Sequence, residues 1–162
     1  MSLSTDGRFA LLELVARYAH AVDSRDVDAI VACFASDARL EFASTATAFT
    51  GHAAIAEFYD GAFASPPLGD GATSTHMMAN TLITGSEGGA DVVTSAVAYL
   101  ATSAVVDHTD RITGRVLVRG ITYTDRCVRA GERWVFAERV HRLQWQGEMP
   151  GGAQTADPFP PR

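Results

Sequence analysis

The sequence contains no lysine: all thirteen basic residues are arginine, against nineteen acids, for a net charge of −6. Schiff-base chemistry at a lysine amine is thereby excluded. The arginines are scattered and form no run, which argues against a nucleic-acid groove. Cysteine is nearly absent as well. Cys33 and Cys127 are the only two, and neither has a CxxC or Cys/His neighbour, so two buried thiols in a reducing cytoplasm are expected rather than a disulfide framework or a zinc site. No apolar run approaches the roughly 20 residues of a membrane span. The opening Met1-Ser2-Leu3-Ser4-Thr5-Asp6-Gly7-Arg8 lacks the basic cluster and apolar stretch of a secretory signal. A cytoplasmic protein without membrane contact is expected. GxGxxG, GxxxxGK[ST], HxH, HxxxH and HExxH are all missing, so neither a phosphate loop nor a metal-binding helix is indicated, and the site is expected to need no metal and no cofactor.

What is present suits a single globular domain. The 162 residues can bury a sizeable core, and 47% hydrophobic with 20% charged residues makes wholesale disorder improbable. From Thr5 to Asp23, Leu11, Leu14, Val15, Tyr18 and Val22 recur at helical spacing. Ser24 is a candidate cap for a short second helix, Asp26–Phe34, with acids in its first turn. Asp37–Phe42 alternates as a strand, with a weaker one near Ala46–Phe49. Thr50 is placed to cap a third helix, Gly51 to about Phe63, whose apolar stripe is Ile55, Phe58 and Tyr59. Ser65–Gly71 is a loop. Beyond it the period becomes two, giving strands over Ser74–Thr84, Asp91–Ala101, Arg115–Arg129 and Arg133–Gln146, with turns at Gly85–Gly89, Asp107–Gly114 and Ala130–Glu132. After Gly147 a Pro/Gly-rich tail is expected to lack regular structure, so the domain spans 1–146 and the tail 147–162. Helices first and long strands after exclude a doubly wound parallel sheet. They favour an α+β architecture with the helices on one face of a mostly antiparallel sheet.

The segments Arg17-Tyr18-Ala19-His20-Ala21-Val22-Asp23 and Phe34-Ala35-Ser36-Asp37-Ala38 resemble the start of SnoaL-like proteins of the nuclear transport factor 2-like superfamily, which also holds scytalone dehydratase and a bile-acid 7α-dehydratase. Phe49-Thr50-Gly51-His52-Ala53-Ala54-Ile55 is similar to the family's helix start, and Ser74-Thr75-His76-Met77-Met78-Ala79-Asn80 to its "H-x-x-x-N" strand. Tyr123–Arg126, Gly131–Phe136 and Glu138-Arg139 resemble its closing hairpin. The likeness runs from about Leu11 to Gln144. It implies a cone: a strongly curved sheet wrapped around its own pocket and closed by the N-terminal helices. Members include dehydratases, isomerases, cyclases and non-catalytic binding proteins, so the fold alone leaves function open.

Site candidates follow from the residues and the resemblance together. An acid at the C-terminal end of a helix, such as Asp23, opposes the helix dipole and needs a partner. Either the Ser24-Arg25 turn supplies it, or Asp23 points into the pocket and orients His76, as the resemblance implies. His76 is then a general base for a carbon-bound proton beside a carbonyl, its tautomer fixed by the carboxylate. Otherwise it is a core histidine. Tyr18 is either a donor to a substrate oxygen or a core aromatic. Arg139 either binds a carboxylate or enolate oxygen, as the resemblance implies, or pairs with Asp125 or Asp23. Tyr99, Tyr59, Phe58, Met78 and His141 complete the set of pocket candidates. His20 and His52 are expected to meet solvent, and His108 lies in a loop. The first functional reading is a lyase (dehydratase) or isomerase acting without cofactor on a hydrophobic, cyclic carbonyl compound, with a cyclase served by the same apparatus. The alternative is a non-catalytic binding protein or an accessory subunit of a ring-hydroxylating dioxygenase. Finally, Val116, Val118, Thr122 and Val128 alternate with Leu117, Ile121, Tyr123 and Cys127. Two apolar sheet faces predict a homo-oligomer, a trimer or a dimer.

Overall fold

The computed structural model describes residues 3–65, 72–101, 105–106, 112–113 and 115–150. Helix α1 (Thr5–Ser24) starts at Ser4, whose hydroxyl accepts from the Gly7 N–H at 3.1 Å. The predicted stripe of Leu11, Leu14, Val15, Tyr18 and Val22 is buried throughout. The helix ends where Arg25 turns left-handed at φ 58°, and the N–H of Arg25 and of Asp26 close onto Val22 and Ala21 carbonyls. Helix α2 (Val27–Val31) is shorter than expected, and its cap is Asp26, which accepts from Ala29 N–H at 2.9 Å, not Ser24. The Ser24 hydroxyl instead donates back to the His20 carbonyl at 2.7 Å. Phe34 already belongs to strand β1 (Phe34–Phe42), which pairs with β2 (Thr47–Thr50). Helix α3 (Gly51–Phe63) begins at Thr50, although its hydroxyl makes no capping bond.

The remaining strands are β3 (Thr73–Ser86), β4 (Gly89–Ala101), the short ladder β5 (Val105–Val106) with β6 (Ile112–Thr113), then β7 (Arg115–Ala130) and β8 (Arg133–Pro150). The expected Asp107–Gly114 turn thus contains a strand, and the expected tail begins too early: Gly147–Pro150 continues β8 against Val118–Arg115. His108, residues 66–71 and the tail beyond Pro150 lie outside the described residues. The main sheet has six strands in the order β2-β1-β8-β7-β4-β3, antiparallel except where β1 runs parallel to β8. The α+β architecture read from the sequence is therefore present, with a curved sheet and the helices packed against it. Register shifts between Ala79 and Leu82 in β3, and in β8 at Gln144 and Ala137, insert extra residues into these strands. Such bulges bend the strand and increase its twist.

The concave face carries the core. In β4, Val92, Thr94, Ala96, Ala98 and Leu100 are buried, and in β7 so are Ile121, Tyr123, Asp125 and Cys127. Tyr18 of α1 meets Phe34, Tyr123 and Phe136 edge-on, joining helix to sheet through aromatic contacts. The convex face is different. Met77, Leu82, Val93, Trp145 and Met149 are all exposed. Cys33 and Cys127 are buried free thiols, and burial pushes the Cys127 thiol up to about 12. No helix among the described residues is long and apolar enough to cross a membrane.

Candidate active site

Between α1, α3 and the concave face lies a cavity of about 160 Å³, walled by Tyr18, Val22, Phe42, Phe58, Tyr59, Ala98, Leu100, Ile121 and Tyr123, with His76, Arg119 and His141 as its nitrogen-bearing side chains. That volume is close to the ~150 Å³ of a cavity that admits benzene. The wall is largely apolar because α1 presents one buried stripe and β4 and β7 alternate strictly, each turning every second residue inward.

Asp23 and His76 meet at one side. The carboxylate accepts the His76 backbone N–H on Oδ2 at 2.8 Å and the ring Nδ1–H on Oδ1 at 2.7 Å. The two bonds fix both the strand and the ring, and they answer the unfavourable position of an acid at a helix C-terminus. Neither side chain is sealed off, with 12% of His76 and 21% of Asp23 accessible. With Nδ1 engaged, Nε2 is the ring nitrogen left for the cavity that His76 lines. The Ser24-Arg25 turn does not use Asp23. Arg25 reaches instead to the Ala72 carbonyl, and its guanidinium lies 6.0 Å from the Phe63 ring centre.

Two tyrosines form a second polar element of the cavity wall. The Tyr18 and Tyr59 hydroxyl oxygens lie 2.5 Å apart across α1 and α3. Burial raises both phenol pKa values, Tyr59 well above the ordinary value, while Arg139 pulls that of Tyr18 down. Both are therefore protonated at neutral pH. One hydroxyl donates to the other, and the second keeps a proton for a substrate oxygen.

Arg139 does not border the cavity. It is fully buried in a bidentate pair with Asp125, Nε to Oδ1 at 2.8 Å and Nη2 to Oδ2 at 2.7 Å, and its guanidinium packs against the rings of Phe136, Tyr18 and Tyr123 at 3.8, 4.1 and 4.5 Å. Desolvation works against its charge, but the carboxylate beside it outweighs that and raises its pKa. The expectation of a substrate-binding Arg139 is thus replaced by the ion pair with Asp125, a direct cross-strand neighbour of β8 on β7. Met78 likewise packs against the core rather than lining the cavity. Phe58 and Tyr59 line it, and Phe58 stacks with Phe42 and Phe49. Tyr99 borders both the cavity and a shallow depression on the convex face. His20 is exposed as expected, but His52 is half-buried, with Nε2 3.0 Å from the Phe34 carbonyl.

His141 lines the cavity, with its ring 5.0 Å from Phe42 and 5.4 Å from Tyr123. Burial pushes its pKa down to about 4, with Arg119 and His76 adding to the effect, so the ring is neutral at physiological pH. Its Nδ1 is buried without a hydrogen-bond partner.

Arg119 was absent from the sequence-derived set. Its signal was nevertheless there, because it shares the odd-numbered face of β7 with Leu117, Ile121 and Tyr123. Among the described residues no group of three His, Cys, Asp or Glu side chains is placed to hold a metal ion.

A family model, described as a SnoaL-like domain, matches residues 5–140. Solved structures share the fold. A candidate aromatic ring hydroxylase from Novosphingobium aromaticivorans DSM is 24% identical, with 93% of this chain and 96% of that one covered and a TM-score of 0.72. A candidate scytalone dehydratase from Novosphingobium aromaticivorans DSM 12444 is 18% identical, covers 93% and 95%, and gives 0.71. A type 2 hexachlorocyclohexane dehydrochlorinase is 14% identical, covers 93% of each chain, and gives 0.70. No match was found among curated proteins.

Proposed function

The chain belongs to the SnoaL-like family, and on that footing we propose that it is a cofactor-independent lyase or isomerase acting on an apolar, cyclic carbonyl compound. The observation that carries this reading is the His76–Asp23 pair at 2.7 Å, on the wall of a cavity otherwise lined mainly by apolar and aromatic side chains. Nε2 of His76 takes a proton from the carbon beside the carbonyl, and the C–H electron pair becomes the enolate C=C. The negative charge moves to oxygen, where the Tyr18/Tyr59 hydroxyl pair donates to it. Asp23 stabilises the imidazolium that results. In a dehydration, the enolate expels a β-hydroxyl, which leaves as water with the proton held on His76. In an isomerisation, that proton returns to a different carbon. Pocket shape and the position of the leaving group decide between these outcomes. The names of two structural neighbours, a dehydratase and a dehydrochlorinase, both denote eliminations.

Deuterium exchange tests the base without the natural substrate. Small cyclic ketones and β-hydroxyketones are incubated in D2O, and loss of the α-proton signal is followed by NMR. The wild-type protein should accelerate exchange, and folded His76→Ala should not. Exchange by that variant at the wild-type rate removes His76 from the mechanism.

A second reading, an accessory subunit of a ring-hydroxylating system, has one observation in its favour: the neighbour named as a candidate aromatic ring hydroxylase. Stoichiometric copurification of a larger partner chain would select it.

A further inference from the structure

We propose that the substrate carries a carboxylate, and that Arg119 is the residue that anchors it. The proposal rests on the cavity being the substrate site, but not on the catalytic role of His76.

The argument begins with register. Ala98 of β4 is paired with His76 of β3 on one side and with Arg119 of β7 on the other. The three residues therefore form one row across the concave face, and all three line the cavity. Neighbouring strands lie about 4.8 Å apart, so the His76 and Arg119 backbones are separated by about 10 Å. The side chain between them is a single methyl, which leaves room for a ring to lie over Ala98 with one end at each flanking residue.

Charge decides what sits at the Arg119 end. The Nε of Arg119 is buried without a hydrogen-bond partner, and no carboxylate among the described residues pairs with the guanidinium. The contrast with Arg139 is direct, since there Asp125 already occupies the Nε and Nη2 edge. A cation at an apolar wall with an orphaned donor is matched by an anionic acceptor, and the planar edge of arginine takes a carboxylate's two oxygens in parallel. An enolate formed during the reaction would carry charge only transiently. A guanidinium that has no carboxylate partner among the described residues is suited to a charge present from the moment of binding. Of the two imidazoles that line the same cavity, His76 is already held by Asp23 and His141 is kept neutral by burial.

Benzoate and benzamide provide the test, since they share size and shape and differ in charge. Each is titrated into 15N-labelled protein at pH 7.5 and followed by amide chemical shifts. Benzoate should bind at least tenfold more tightly than benzamide in the wild type, with shifts centred on Ala98 and Arg119. Arg119→Gln should remove that preference while leaving benzamide binding unchanged, which also confirms that the pocket is intact. Arg119→Lys should retain part of it. His76→Ala should keep the preference, so failure of the catalytic reading and failure of the anchor are told apart. The anchor is overturned by equal affinities in the wild type, by benzoate failing to saturate the protein at millimolar concentration, or by a preference that survives Arg119→Gln.

Discussion

Asp23 grips His76 twice, once at the ring and once at the backbone, with Oδ1 2.7 Å from Nδ1 and Oδ2 2.8 Å from the main-chain nitrogen. A carboxylate used in this way fixes where the ring sits, which tautomer it adopts and where β3 lies against the end of α1. Asp23→Asn keeps the size but puts an amide where two N–H groups need acceptors. One of the two bonds is then lost or the amide turns, and His76 no longer has an anionic partner for its protonated form. We expect proton-exchange activity to fall by about 10²–10⁴, the range of a general base. Amide NMR should show the fold retained, with shifts confined to the α1 terminus and the start of β3. Unchanged exchange rates in Asp23→Asn would mean that the carboxylate is structural only.

The buried ion pair makes a different prediction. Arg139 and Asp125 are 0% and 2% exposed, and Asp125→Ala would leave a guanidinium buried among three aromatic rings with no counter-charge. Breaking such a pair from one side costs about 3–5 kcal/mol. Chemical denaturation should show a loss of that size, far more than for Asp91→Ala, whose partner Arg126 lies 3.7 Å away with both side chains about half exposed. A loss under 1 kcal/mol would show that water reaches Arg139.

His141 makes stability depend on pH with a definite sign. Burial is the largest cause of its depressed pKa, about 4 in the fold against 6.5 unfolded. Between those values the unfolded chain binds a proton that the folded chain excludes. The stability conferred by a neutral His141 is therefore complete above pH 6.5 and is lost as pH falls toward 4. The loss is on the order of 2 kcal/mol after discounting the ring's partial exposure. His141→Gln should flatten the stability profile across that window in thermal melts. An unchanged slope would assign the acid sensitivity to other groups.

The outer architecture and half of the site were legible in the sequence for a physical reason. Periodicity reports which side of a single element faces inward, so the α1 stripe and the alternation of β4 and β7 could be read from one strand or helix at a time, whereas the pairing of Asp23 with His76 was implied only by the resemblance of their segments to SnoaL-like proteins. Arg139 could not be resolved in the same way. It does face inward, but whether it meets substrate or Asp125 depends on how β8 registers against β7, and that register shifts at Ala137 and again at Gln144. Bulges of this kind leave no fixed residue signature. Arg119 is the opposite case, since β7 carries no inserted residue along this stretch and alternation alone puts it beside Ile121 and Tyr123. The α2 cap moved from Ser24 to Asp26 because Arg25 adopts a left-handed conformation that ends α1 one residue later than a helix pattern implies.

The convex face supports the last prediction, self-association. Gly120 of β7 is paired with Trp145 of β8, and the indole lies so close over it that an added Cβ would come within 2.2 Å of the ring. Glycine thus lets a large aromatic lie flat on the sheet instead of standing away from it. Trp145 nevertheless remains 54% exposed, beside Met149 at 47%, with Met77 at 58% and Val93 at 38% on the same side of the sheet. Apolar groups grouped on one sheet face are unusual on a monomer and are commonly covered in a closed symmetric assembly. Light scattering at micromolar concentration should give two or three times the 17.2 kDa chain mass. Trp145→Glu should shift that mass toward the monomer and leave the His76–Asp23 pair on the opposite face undisturbed. Gly120→Ala should lift the indole and shift tryptophan emission, weakening association less than Trp145→Glu because the apolar ring is kept. A wild-type mass near 17 kDa would mean that solvent alone covers this face.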